Sequence, residues 1–145
     1  MQSWNKTMRY YLDTNILYFI LSDRYDEIDR DVKAILDDYS SIVYVSNIVV
    51  QELIFLYRIG KFRYKLYKSE KDLIGAIEEN DIRIIYSNEY HLKTYTSLQI
   101  AEGHKDINDH VIIAQAISDQ IPLISSDHEF KNYTDQGLDF ILNRR

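Results

Sequence analysis

Short β-branched runs alternate with helix-length stretches along this chain, and that alternation leaves few folds open. Met8 to Leu12, Ile42 to Val45, Ile82 to Tyr86 and Leu123 to Ser125 read as strands, with Leu138 to Leu142 a candidate fifth. Between them apolar residues recur at helical spacing, as Ile28, Val32, Ile35 and Leu36 do between Asp26 and Tyr39. Strands separated by helices cannot pair as hairpins, so they line up in parallel. The expected class is α/β: a three-layer α/β/α sandwich around a mostly parallel sheet of four to five strands. With no repeat, low-complexity tract or linker, residues 8–145 read as one domain. Residues 1–7 read as a polar N-terminal extension, because a second methionine, Met8, stands directly before the first strand.

Local signals place the helices. After the first strand a short helix is expected, with Thr14 or Asn15 near its cap and Ile16, Leu17, Phe19 and Ile20 buried. Ser46 is a good N-cap for a helix that stops near Gly60. A further helix is expected through the basic stretch to Glu79, giving a helical hairpin that turns at Gly60. Asn88 to Ile100 and Asp109 to Asp119 complete the set, and Pro122, the only proline, closes the last of these.

Composition narrows the chemistry. The chain has no cysteine, so disulfides, thiol nucleophiles and thiolate-held zinc are excluded. That suits a cytoplasmic protein, and no apolar run approaches a membrane span. The net charge is −6, yet the stretch from Arg58 to Lys71 carries +5, leaving −11 on the remainder. A basic arm thus projects from an acidic body that would not coat nucleic acid non-specifically. Tyr57, Tyr64 and Tyr67 fall in or beside the arm.

Four acids lie far apart in sequence but beside element boundaries: Asp13 in YLDTN, Glu52 in VVQEL, Asp109 in DINDHVIIAQA and Asp127 in LISSDHEF. In a parallel sheet the site forms outside the carboxyl ends of the strands. Asp13 and Asp127 each follow a strand, Glu52 lies less than two turns into the helix after the second, and Asp109 opens a helix. All four can converge on one rim. Carboxylates so gathered repel by roughly 4 kcal/mol per close pair at moderate dielectric. A hard divalent cation such as Mg²⁺ relieves that repulsion and supports phosphodiester hydrolysis. Asp13, Asp109 and Asp127 also suit caps or turns. Glu52, among Val49, Val50, Leu53, Ile54 and Leu56, would otherwise need an arginine partner. His104, His110 and His128 lie near the rim without a paired-ligand spacing and read as surface or substrate-adjacent, and His91 as exposed.

In this order and spacing the four motifs resemble the PIN domain, and more narrowly the VapC-type ribonuclease toxins of toxin–antitoxin modules. The resemblance spans Met8 to Leu142. It implies a PIN-like fold and a Mg²⁺- or Mn²⁺-dependent endoribonuclease with Asp13, Glu52, Asp109 and Asp127 as catalytic and metal-binding acids. RNA would be hydrolysed to a 5′-phosphate and a 3′-hydroxyl. Asn15 would hold Asp13, Ser126 would offer a hydroxyl to the cluster, and Asp106 would be a further supporting acid. The chain has DIND where the family often has DPFD, which alters loop stiffness and keeps both acids. The resemblance also implies a homodimer and a cognate antitoxin whose tail packs on the helical hairpin. Arg58, Lys61, Arg63 and Tyr64 are the candidates for RNA or antitoxin contact, Arg58 and Lys61 for phosphate.

The main alternative is a PIN-like module that binds RNA or protein without cleaving it. Four mutually repelling acids give such a module no advantage. A phosphatase of the haloacid-dehalogenase type would want a second Asp two residues after the first, where this chain has Asn15. A phosphorylated receiver domain would want a lysine after a late strand, and LISSDHEF offers none.

Overall fold

The computed structural model describes residues 8–144, so the expected extension over residues 1–7 lies outside it. Among these described residues five strands form one sheet: β1 (Met8–Leu12), β2 (Ser41–Ser46), β3 (Ile82–Ile85), β4 (Leu123–Ser125) and β5 (Phe140–Leu142). Every pairing is parallel and the spatial order is β3-β2-β1-β4-β5. Consecutive residues of a strand face opposite sides of a sheet. Tyr10, Tyr11 and Leu12 in β1, and Leu123, Ile124 and Ser125 in β4, are all buried, so helices cover both faces at the sheet centre. The expected three-layer α/β arrangement is therefore present, with the upper strand number.

The chain runs outward from β1 through β2 to β3, then crosses back to β4 on the other side of β1. That reversal opens a crevice beyond the carboxyl ends of β1 and β4. The two strands are in register there, with Tyr11 opposite Leu123 and Leu12 opposite Ile124. Asp13 N–H donates to the Ile124 carbonyl at 2.9 Å, which brings the residues after both strands to the same rim.

Among the described residues six α-helices surround the sheet: α1 (Thr14–Leu21), α2 (Arg30–Asp37), α3 (Asn47–Arg58), α4 (Glu70–Glu79), α5 (Glu89–Ser97) and α6 (Ile107–Asp119). Ser46 caps α3 as expected, accepting from Ile48 N–H at 3.0 Å, and its hydroxyl donates to Gln115 Oε1 of α6 at 2.8 Å. α1 is capped by Asp13 rather than by Thr14 or Asn15. It buries Ile16, Leu17 and Leu21, while Phe19 and Ile20 are only half-buried. The Asp26–Tyr39 stretch does not form one helix. A 3-10 turn (Tyr25–Glu27) comes first, and Asp29 then caps α2 through Val32 N–H at 2.8 Å.

The largest departure is the basic arm. No helix runs through residues 59–69, and α4 begins only at Glu70, where Ser69 and Asp72 form a capping box. Gly60 leaves α3 with φ +80°, a conformation that glycine adopts freely. Phe62 then turns inward and is fully buried, edge-on to Tyr18 and Tyr67 at 5.2 and 5.9 Å. The segment is thus an anchored loop, with its cations displayed around one apolar peg. Phe62→Ala should cost about 3 kcal/mol by leaving a cavity beneath the arm. Urea unfolding would read the loss, and a midpoint equal to wild type would show that the peg carries no load.

Candidate functional site

Asp13 follows β1 directly and is 4% exposed. Its Oδ1 accepts from Thr14 N–H at 2.8 Å, and its Oδ2 accepts the Ser125 hydroxyl at 2.6 Å and the Asn15 amide at 3.3 Å. Ser125 Oγ also accepts from Asp127 N–H at 3.0 Å, so one hydroxyl ties the ends of β1 and β4 together. This is the hydroxyl expected from Ser126. The alternation of β4 turns Ser125 inward, whereas the Ser126 hydroxyl accepts from Asn143 at 2.9 Å. Ser126 N–H instead donates to Asn15 Oδ1 at 3.2 Å, giving Asn15 bonds to both strand ends.

Glu52 projects from α3, half-buried. Thr14 Oγ1 donates to its Oε1 at 2.6 Å and Asn108 Nδ2 to its Oε2 at 3.4 Å. These neutral donors occupy the place an arginine would take in a structural ion pair. Asp106, not Asp109, is the N-cap of α6, its Oδ1 accepting from Asn108 and Asp109 N–H at 3.0 and 3.4 Å. Asp109 is therefore the third residue of the helix. Its Oδ2 lies 3.1 Å from His104 Nε2. His104, Asp109 and Asp127 each present a ligand atom within 4.8 Å of the others.

Asp13, Glu52, Asp106, Asp109 and Asp127 line a single cleft of about 480 Å³, together with Thr14, Asn15, Tyr18, Leu56 and Lys61. Lys61 is the one basic side chain among these lining residues. Burial raises the Asp13 carboxyl to about 7, with the negative charges of Asp109 and Glu52 adding to the rise against the Ser125 and Thr14 hydrogen bonds. Burial likewise raises Asp109 to about 7, reinforced by Asp106, Glu52, Asp127 and Glu129. Glu52 is raised by burial and by Asp106, against the Thr14 and Asn108 donors. The protein alone therefore holds this cluster of acids at a cost, and a positive charge in the cleft would remove it. The donors are hard carboxylate oxygens on several converging elements, which suits Mg²⁺ or Mn²⁺.

The other expected residues fall into two groups. Lys61 reaches the acidic cleft, whereas Arg58 is held away by a bidentate pair with Glu70, both bonds at 2.8 Å. Arg63 lies 6.0 Å over the Tyr57 ring and, with Tyr57, Tyr64, Lys65 and Tyr67, lines a separate cavity of about 560 Å³. The Tyr67 hydroxyl donates to the Leu21 carbonyl at 2.7 Å. Two histidine expectations are overturned. His91 is 2% exposed, its Nδ1 accepting from Asn88 N–H at 3.1 Å while Nε2 meets Asp119 at 2.8 Å. His104 and His110 are 5% exposed rather than on the surface, although His104 does adjoin the cleft through Asp109, and of the four only His128 is exposed. Period-based reading misses such residues, because a buried imidazole satisfied by loop partners leaves no spacing signal.

Comparison with known proteins finds one architecture. The family model described as PIN domain matches residues 10–136. Among curated proteins, no sequence matches. Among solved structures, VapBC-1 of nontypeable Haemophilus influenzae is similar at 25% identity, with a TM-score of 0.62 over 95% of this chain and 100% of that one. VapBC2 of Rickettsia felis, bound to a DNA fragment from its promoter, is similar at 20% identity and TM-score 0.62, covering 93% and 98% of the two chains. A toxin–antitoxin complex from Klebsiella pneumoniae is similar at 18% identity and TM-score 0.63, covering 94% and 98%.

Proposed function

The chain belongs to the PIN domain family, and from that premise we propose that it is a Mg²⁺- or Mn²⁺-dependent endoribonuclease acting as the toxin of a toxin–antitoxin pair. The observation that carries the proposal is the convergence of five carboxylates on one cleft, three of them with raised affinity for protons. Asp13, Glu52, Asp109 and Asp127 would hold the cation, with Asp106 as a supporting acid. A bound divalent ion supplies charge neutralisation at a phosphodiester and lowers the pKa of a coordinated water. The protein's own share is positional. Ser125, Asn15 and Thr14 fix the Asp13 and Glu52 carboxylates before any ligand arrives.

RNA is the substrate that the positive features around an acidic cleft fit best. Lys61 lines the cleft and can meet a phosphate of a strand lying across it, while Arg63 and Tyr64 extend the basic, aromatic path along the arm. Arg58, already neutralised by Glu70, is withdrawn from the phosphate-binding set. Lys61→Ala should weaken RNA binding by roughly 1–2 kcal/mol, about five- to thirtyfold, and lower the salt slope of binding by about one. Affinity measured against salt concentration checks this, and an unchanged slope would remove Lys61 from the interface. The exposed Phe55, Ile59 and Leu66 near the arm suit an apolar antitoxin segment. A homodimer in the cytoplasm completes the proposal; no helix among the described residues is long and apolar enough to cross a membrane.

The direct test incubates purified protein with single-stranded RNA in Mg²⁺, Mn²⁺ or EDTA. Cleavage with either ion and none in EDTA is expected. Cleavage that persists in EDTA, or RNA left intact by protein freed of any bound partner, overturns the reading.

A further inference from the structure

Behind Asp109 stands a relay that the four-acid reading does not use. The Tyr133 hydroxyl, in the 3-10 segment His128–Gln136, is fully buried and accepts from Ala101 N–H at 3.0 Å. It lies 2.7 Å from His104 Nδ1, and His104 Nε2 lies 3.1 Å from Asp109 Oδ2. His110 Nε2 meets the His104 carbonyl at 2.8 Å, and the two imidazoles pack edge to face at 4.7 Å, so the His104 ring is held on all sides.

The proton positions follow from counting donors and acceptors. If Nδ1 carried the imidazole proton, Tyr133 would accept two hydrogen bonds and its own proton would have no acceptor in the interior. A buried unsatisfied donor is disfavoured by roughly 1–3 kcal/mol. The consistent arrangement has Tyr133 donating to Nδ1 and Nε2–H donating to Asp109. His104 then presents a donor to the cleft rather than a lone pair. It shares a ligand-like triangle with Asp109 and Asp127, but in this tautomer its Nε2 has no lone pair to offer a cation.

We propose that His104, fixed by Tyr133 as the Nε2–H tautomer, is a positioning residue that occupies one oxygen of Asp109 and orients the other as a cation donor. The proposal rests on the cation reading of the cleft. It assigns His104 and Tyr133 to the same site as the acids, although they lie on the loop before α6 and on the 3-10 segment His128–Gln136. Partners of this kind orient ligands in metal sites, and their loss typically weakens metal binding about 10–100-fold.

Two measurements test it. Nitrogen-15 NMR of histidine side chains in the metal-free protein should show His104 as the Nε2–H tautomer; the Nδ1–H form would overturn the proposal and make the ring a ligand. Mn²⁺ affinity, read by electron paramagnetic resonance at fixed pH, should fall about 10–100-fold in His104→Leu. His104→Gln, whose amide can still donate to Asp109, should recover most of that loss. Tyr133→Phe keeps the ring packing and should weaken Mn²⁺ severalfold, which tests the relay even if His104→Leu does not fold. Wild-type affinity in Tyr133→Phe or His104→Leu, or a Gln variant as weak as Leu, overturns the positioning role while wild-type binding keeps the cation reading intact. A wild-type protein that binds no Mn²⁺ takes down the cation reading and this proposal with it.

Discussion

Asp13→Asn is expected to lower RNA cleavage by at least about a thousandfold while leaving the fold intact. The side chains are nearly isosteric, and the amide oxygen can still accept from Thr14 N–H, so α1 keeps its cap. The new amide nitrogen would face Ser125, whose hydroxyl can turn from donor to acceptor, and would give up the longer 3.3 Å bond from Asn15. What disappears is the charge, at the most buried of the five acids in the cleft. A thousandfold in rate is about 4 kcal/mol, the scale of transition-state charge stabilisation that an anchored metal ion contributes. Initial rates in saturating Mg²⁺, with folding checked by circular dichroism, give the answer. Asp109→Asn should behave alike, since it removes the second carboxyl raised to about 7. If both variants cleave within tenfold of wild type, the acids of this cleft are not the catalytic machinery.

That prediction could be written from the motifs, and the reason is physical. A residue that directly follows a strand of a parallel sheet lies at the carboxyl rim whatever the helices do, so Asp13 and Asp127 were legible. Ser46 was legible because a hydroxyl before an apolar helix has one common use, and it fixes where Glu52 points. The basic arm was not. Its charge pattern suits a solvated helix, and only the burial of Phe62, a tertiary event, decides for a loop. The hydroxyl on Asp13 was off by one residue because Ser125 and Ser126 differ only in which way the last residue of β4 points. Asn108 was missed altogether, and Thr14 and His104 were named without the roles that they play. Each acts across a long sequence gap or from a loop, where periodicity carries no information. The pairing of Arg58 was hidden for the converse reason, because nothing local announces that Glu70, twelve residues on, will meet it.

Without metal, the same acids should make the folded protein lose stability as pH rises. Asp13 and Asp109 protonate near 7 in the native state against 3.8 for an ordinary aspartate. Between these values the native chain binds more protons than the unfolded chain, so the unfolding free energy falls with increasing pH. The sign is opposite to that of a salt-bridged aspartate: the penalty is absent below about 4, grows through about 7 and is constant above. One carboxyl raised by about three units corresponds to about 4 kcal/mol of penalty at alkaline pH. Other groups titrate in this window as well, so the clean quantity is the difference between wild type and Asp13→Asn, each unfolded by urea in EDTA at pH 5 and pH 8. The variant should gain several kcal/mol over wild type at pH 8 and much less at pH 5. Saturating Mn²⁺ should close most of that gap at pH 8. The cation binds the ionised carboxylates, its affinity grows as they lose protons, and a hundredfold excess over Kd adds about 3 kcal/mol to the folded state. A variant-to-wild-type gap that does not change with pH would mean that Asp13 is not held as a strained carboxylate, and the cleft would lose its reason to bind a cation.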